Sequence, residues 1–175
     1  MSKQLFGTDG IRGLPGEFPL DDVTLDRVGM ALGEYVSSQK RTPGAQARVL
    51  IGRDTRESGP HIAERIARGL AAAGVEPLSA GVVTTPGVAW LVSREGFDAG
   101  VVISASHNPY HDNGVKLISS AGTKFPDAVE AEIERFILSS NEPAETRSAM
   151  HLRDNEKIDD DYLDGLRAAV LPGAD

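Results

Sequence analysis

The 175-residue chain contains no cysteine. That excludes disulfides, thiolate metal sites and cysteine nucleophiles, and a reducing cytoplasm is the natural setting. No apolar run approaches the roughly 20 residues needed to span a bilayer. The segment Met1 to Phe6 has one lysine and no apolar core, so no signal peptide is expected. Positive charge is also in short supply. Lys and Arg number 18 against 26 Asp and Glu, a formal net charge of −8. Nucleic-acid binders and membrane-surface binders need clustered cations, so neither partner is expected. What remains is 40% hydrophobic and 25% charged, with 19 glycines and 10 prolines spread as punctuation. Such a chain can bury the core of one domain and a piece of a second.

Capping oxygens at Asp21, Asp22 and Thr24 precede Leu25, Val28, Leu32, Tyr35 and Val36 at helical spacing. Val49-Leu50-Ile51 reads as a buried strand. Ser58 is placed to cap a helix with Ile62, Ile66 and Leu70 on its apolar face and Gly74 at its end. Val75 to Leu78 and Ala99 to Ala105 read as further strands, with a short helix over Pro86 to Val92 between them. Asp112-Asn113-Gly114 signals a tight turn before a fourth strand, Val115 to Ile118. Pro126 opens an acidic helix through Ile137. Alternating strands and helices predict a three-layer α/β fold: a mixed, mostly parallel four-stranded sheet between helices. Residues 1–140 are expected to form this domain and 141–158 a linker. The helix near 160–170, with little of this domain left to pack on, is expected to open a second domain over 159–175.

Three segments could carry chemistry. Ser104-Ala-Ser-His-Asn-Pro-Tyr-His-Asp-Asn-Gly-Val-Lys116 begins where a buried strand ends, the usual ligand position in open α/β sheets. Ser106 could be a nucleophile there, or the segment could be a polar turn in which Ser and Asn cap the backbone. No Gly-x-Ser-x-Gly elbow is present, which disfavours acyl-transfer chemistry. Gly7-Thr-Asp-Gly-Ile-Arg-Gly13 could bring backbone and the Arg12 fork to an anion, or be a glycine-rich turn with a solvated arginine. Gly52-Arg-Asp-Thr-Arg-Glu-Ser-Gly59 follows another strand. Its Arg53, Asp54 and Arg56 read best as an ion-pair network that fixes the loop, with anion binding at the helix start as the other reading.

Together, Phe6 to Gly13, Gly52 to Arg56 with Ser58-Gly59, and Ser104 to Pro109 with Asp112 to Gly114 and Lys116 resemble the α-D-phosphohexomutase superfamily in order and spacing. The Ser-Ala-Ser form is most similar to the branch acting on glucosamine phosphates. The resemblance covers residues 4–138, the family's first domain. It implies that Ser106 carries a phosphoryl group, passed to a sugar phosphate and recovered through a bisphosphorylated intermediate. It implies Arg12, Lys116 and His107 as catalytic residues, with His107 orienting the loop and Lys116 a candidate for proton transfer. Thr8, Arg12, Asn108 and Lys116 are then implied as phosphate-binding residues. Mg²⁺ would meet Ser106 through its phosphate, with the remaining ligands on an Asp-Gly-Asp-Gly-Asp-Arg loop that this chain lacks. A glucosamine 1,6-bisphosphate-type activator and three further domains of the same enzyme are implied as well. The alternatives are a phosphomannomutase or phosphoglucomutase fragment, and a non-catalytic module binding phosphate or a partner.

Overall fold

The structure, a computed structural model, describes residues 5–40, 45–139 and 151–170. In chain order these form β1 (Ile11–Gly13), α1 (Asp22–Ser38), β2 (Arg48–Arg53), α2 (Gly59–Ala72) and β3 (Glu76–Val82). There follow α3 (Thr85–Arg94), β4 (Ala99–Ile103), β5 (Asn113–Ser119), α4 (Asp127–Ser139) and α5 (Glu156–Val170). The sheet order is β1-β5-β4-β2-β3. β2 runs parallel to β3 and β4, while β5 is antiparallel to β4 and β1. Helices cover both faces, so the three-layer expectation holds. The sheet has five strands rather than four, because the glycine-rich opening segment supplies β1. Three residues are too few to show a strand period in sequence, yet Ile11 is fully buried opposite Val115.

Two apolar cores hold the layers together. On one face Leu25, Val28 and Leu32 of α1, Ile62, Ile66 and Leu70 of α2, and Ile133 and Ile137 of α4 pack on Val49, Ile51, Val101 and Leu117. On the other, Val88, Leu91 and Val92 of α3 pack on Leu50, Val102 and Ile118. Each such side chain, fully withdrawn from water, contributes roughly 1.5–3 kcal/mol. The helices start and stop as their sequences dictate. The Asp21 carboxylate accepts the Thr24 N–H at 3.0 Å, and Thr84 accepts the Gly87 N–H at 3.2 Å. Gly74, at φ +77°, ends α2 in the left-handed conformation that glycine adopts without strain.

The last helix does find a surface on this domain. Ile158 is buried, and the Tyr162 and Trp90 rings lie 6.0 Å apart between centroids. A Cβ on Gly165 would lie 2.3 Å from the Trp90 ring, so the helix approaches α3 closely. Ahead of it, Asp154 accepts from Arg53 Nη2 at 2.8 Å and from Ser79 Oγ at 2.7 Å. The receptor for α5 is Trp90 on the outer side of α3, which the periodicity of α3 alone does not mark as a docking point. Of the expected linker, residues 141–150 lie outside the described residues, as do 171–175 of the expected second domain.

Candidate active site

One edge of the sheet gathers the carboxyl ends of β1, β2 and β4 and the start of β5. Gly13 pairs with Asn113, Arg53 with Ile103, and Ile103 with Val115. The loops that leave these ends line a cleft of ≈ 930 Å³, touched by Glu17, Arg56, Ser58, Ser106, Asn108 and His111. This is where parallel sheets bind ligands, and it brings two of the three sequence segments face to face.

The serine loop spans residues 104–112, because Asn113 and Gly114 lie in β5 rather than in a turn. Burial decides this. Asn113 is fully buried, its Nδ2 donating to Ser58 Oγ at 2.8 Å and its Oδ1 accepting the Gly114 N–H at 2.8 Å. The Ser58 hydroxyl is thereby drawn to β5 and makes no side-chain cap on α2. At the exposed crest, Ser106 has φ +56°, the one non-glycine residue with positive φ among the described residues. That conformation costs a side-chain-bearing residue roughly 1–2 kcal/mol, and such strain persists where surrounding contacts over-determine it. Here they do. The Ser106 N–H donates to Ser104 Oγ at 3.0 Å. From beneath, the mostly buried Arg56 guanidinium donates to four loop carbonyls: Ser106 at 3.0 Å, Asn108 at 2.9 Å, Pro109 at 2.5 Å and Asp112 at 3.0 Å. Asp54 Oδ2 holds Arg56 Nε at 3.0 Å. The expected ion-pair network therefore exists for Asp54 and Arg56, whereas Arg53 turns away to Asp154.

Arg12 reaches the same loop from β1. Its Nη1 donates to the Ala105 carbonyl at 2.9 Å and to Asn108 Oδ1 at 2.8 Å. Asn108 Nδ2 in turn donates to Asp112 Oδ2 at 2.9 Å. Strand register explains the approach. Ile11 and Val115 fill the core on one face of the sheet, so Arg12 and Lys116 project from the other. There both cations meet Asp9. Arg12 Nη2 and Lys116 Nζ each lie 2.7 Å from the same oxygen, Asp9 Oδ2. Asp9 arrives through Gly10, at φ +88°, whose missing Cβ would otherwise lie 2.3 Å from the Val115 carbonyl oxygen. The hydrogen bond from Lys116, with help from Arg12 and against partial burial, holds the Asp9 carboxyl below its ordinary value. The lead-in to this segment is pinned from α4, where buried Glu134 Oε2 accepts the Leu5 and Phe6 N–H groups at 2.8 and 2.9 Å.

The structure thus brings Ser106, Arg12 and Asn108 together and links Lys116 to them through Asp9. His107 and Thr8 are exposed, and neither takes a hydrogen bond among the described residues. Arg56 and Asn108 make side-chain bonds that hold the loop. Sequence reasoning missed Asp9, Asp112 and Glu134. Asp9 and Asp112 both lie in the sequence motifs, but spacing alone does not show which cations or amides they meet.

The fold is that of a known class. Residues 3–144 match the model of the phosphoglucomutase/phosphomannomutase family, alpha/beta/alpha domain I, and the chain belongs to that family. Its curated relatives include the phosphoglucosamine mutase of Koribacter versatilis (strain Ellin345), 49% identical over 174 residues, which is 96% of this chain and 36% of that relative. The phosphoglucosamine mutase of Solibacter usitatus (strain Ellin6076) is 45% identical over 181 residues, 97% of this chain and 40% of that relative. Among solved structures, a phosphoglucomutase/phosphomannomutase family protein from Burkholderia thailandensis is similar with a TM-score of 0.64 at 30% identity, over 79% of this chain and 31% of that one. The chain therefore spans little more than a third of the length of the curated relatives it matches.

Proposed function

We propose that the chain is the phosphoryl-carrier domain of a phosphoglucosamine mutase, with Ser106 as the carrier. The observation that carries this reading is Ser106 itself, exposed and held at φ +56° at a sheet edge by Arg56, with Arg12 against the same loop. In the reaction the phosphoserine O–P bond breaks as a sugar hydroxyl oxygen bonds the phosphorus. The hydroxyl proton leaves, and a proton returns to the Ser106 oxygen. Reversal with the sugar's other phosphate restores phosphoserine and completes the isomerisation of glucosamine 6-phosphate and glucosamine 1-phosphate. Lys116 is the proton-transfer group in this reading. Arg12 and Asn108, with Thr8 at the loop's rim, contact phosphate. A phosphoserine carries about −1.5 to −2 charge near neutral pH, and phosphoryl transfer relies on positioning and charge neutralisation.

Among the described residues no group of three or more His, Asp or Glu side chains could hold a metal ion. They do not make an Mg²⁺ site by themselves, and Mg²⁺ enters this proposal only as a counter-charge to the Ser106 phosphate. Carboxylate ligands, sugar-reading residues and the clamp on the second phosphate would come from three further domains. The limits 1–140, 141–158 and 159–175 belong to the same proposal, with α5 clasped to the carrier domain. So do a cytoplasmic setting and a bisphosphorylated sugar activator. Among the described residues no helix is long and apolar enough to cross a membrane. Glucosamine is preferred over mannose or glucose because the 45–49% identical relatives bear the glucosamine name.

The test is a coupled assay for glucosamine 1-phosphate with Mg²⁺ and bisphosphate present. This chain should fold and give no measurable turnover, since lost positioning can be worth roughly 7–11 kcal/mol of barrier. A longer polypeptide supplying the remaining domains should turn over glucosamine 6-phosphate ahead of mannose 6-phosphate or glucose 6-phosphate. Robust turnover by the 175-residue chain would overturn the reading of it as one part of a divided cleft.

A further inference from the structure

Among the described residues Asp9 is the one anion paired with both Arg12 and Lys116, and the contact is lopsided. Both Arg12 Nη2 and Lys116 Nζ bind Oδ2, at 2.7 Å each. The side chain is 54% exposed, against 27% for Arg12 and 16% for Lys116. The carboxylate thus lies over the cation pair on its solvent side. Its hold is weak for its geometry, because exposed ion pairs typically contribute only about 0.2–1 kcal/mol each. A phosphoryl group is a stronger ligand for the same donors: it carries nearly two charges and three acceptor oxygens, and can engage an arginine fork and a lysine together. A monoanion has no such advantage over a carboxylate already in place. The loop is also built to let Asp9 leave. Thr8 beside it is exposed, and the Gly7 N–H to Gly10 carbonyl bond, 2.9 Å, closes the turn without using the Asp9 side chain.

We infer that Asp9 is the resident anion of the Arg12–Lys116 pair, displaced only by a dianionic phosphoryl group, and so is a specificity-determining residue of the carrier site. The inference rests on the carrier reading above and deepens it. With Asp9 seated, the trio carries one net positive charge, and Arg12 Nη2 and Lys116 Nζ both point at Asp9 Oδ2. With Asp9 swung into water, two positive charges face the incoming group. Discrimination between phosphoryl groups and singly charged metabolites follows from that exchange, without any contact between Asp9 and substrate.

The experiment is an NMR titration of this chain and of Asp9→Asn with inorganic phosphate, and separately with acetate, at pH 8 and constant ionic strength. It follows the Ala105 and Asn108 amides and the Asp9 carboxyl carbon. The parent chain should bind phosphate and ignore acetate, with the Asp9 carboxyl carbon shifting as phosphate saturates. Asp9→Asn should bind phosphate roughly three- to tenfold tighter and respond to acetate. If phosphate shifts the amides while the Asp9 carbon stays still and Asp9→Asn binds no tighter, Asp9 is scaffold and the inference fails while the carrier reading stands. If phosphate moves nothing in either chain, and Arg12→Gln behaves alike, the cation pair is no phosphate site and both readings fall. Should Asp9→Asn lose the spectrum of a folded chain, the carboxyl-carbon response of the parent decides alone.

Discussion

Arg56 Nη2 donates to the carbonyl oxygen of Ser106 at 3.0 Å, joining the end of β2 to the crest of the serine loop across 50 residues of sequence. Three other carbonyls of that loop share the guanidinium. No other side chain offers five donors in a planar fork. Arg56→Lys should therefore keep the charge and lose the grip. The expected result is a folded domain about 1–3 kcal/mol less stable in urea, with faster amide exchange confined to residues 106–112. Unchanged exchange there would remove Arg56 as the loop's organiser.

Ser106 illustrates strain kept for function. Glycine takes positive φ without a Cβ penalty, at some cost in unfolded-chain entropy. Ser106→Gly should therefore be at least as stable as the parent, by up to about 1 kcal/mol, while losing the phosphoryl acceptor. Ser106→Ala removes the hydroxyl and keeps the strain, so it should not gain. Comparing the two melting curves isolates the backbone contribution.

Glu134 ties α4 to the entry of the Arg12 segment. Glu134→Ala would strip the acceptor from two buried N–H groups, those of Leu5 and Phe6. A loss of about 2–4 kcal/mol is expected, since bonds to a charged group contribute more than neutral ones. Chemical shifts at Arg12 and Gly10, further along the segment that Leu5 and Phe6 lead into, should move as well. A purely local response would show that the site segment holds itself.

Acid should act through Asp9 and Asp22. Both carboxyls sit below their ordinary value of 3.8 in the folded chain: Asp9 chiefly through Lys116, Asp22 against burial, its largest single influence, which His61 and Arg65 with their neighbours together outweigh. A group depressed on folding adds stability above its unfolded pKa and loses it as pH falls through the lower folded value. Stability should therefore fall below about pH 4, and Asp9→Asn should flatten part of that slope. An equal slope in parent and variant would mean that the Asp9 ion pairs add nothing. The effect is small, because both groups are substantially exposed.

Much of this fold is legible in the sequence. Leu25, Val28 and Leu32, or Ile62, Ile66 and Leu70, repeat at helical spacing because one helix face must meet the sheet. Short β-branched runs between them mark strands buried on both sides. Ser106 stands out because its segment follows a buried strand, whereas Arg12 and Lys116 gain a role only through the resemblance of the three motifs. What stayed hidden depends on long-range register or burial. β1 is too short to show a period, and Asn113-Gly114 spells a turn locally but is overruled by Asn113's buried bond to Ser58. The α5 contact rests on Trp90, whose outward placement only the packed helix reveals. Asp9 looked like part of a glycine turn because its two partners are brought to it by the β1–β5 pairing.

The central claim is that Ser106 carries the phosphoryl group. Peptide mapping by mass spectrometry, on the chain as purified and after incubation with glucosamine 1,6-bisphosphate, tests it most directly. The phosphate should sit on Ser106, with Ser104 bare because its hydroxyl accepts the Ser106 N–H at 3.0 Å and serves the loop's geometry. Phosphate on Ser104, or on His107 or His111, with Ser106 unmodified would contradict the account.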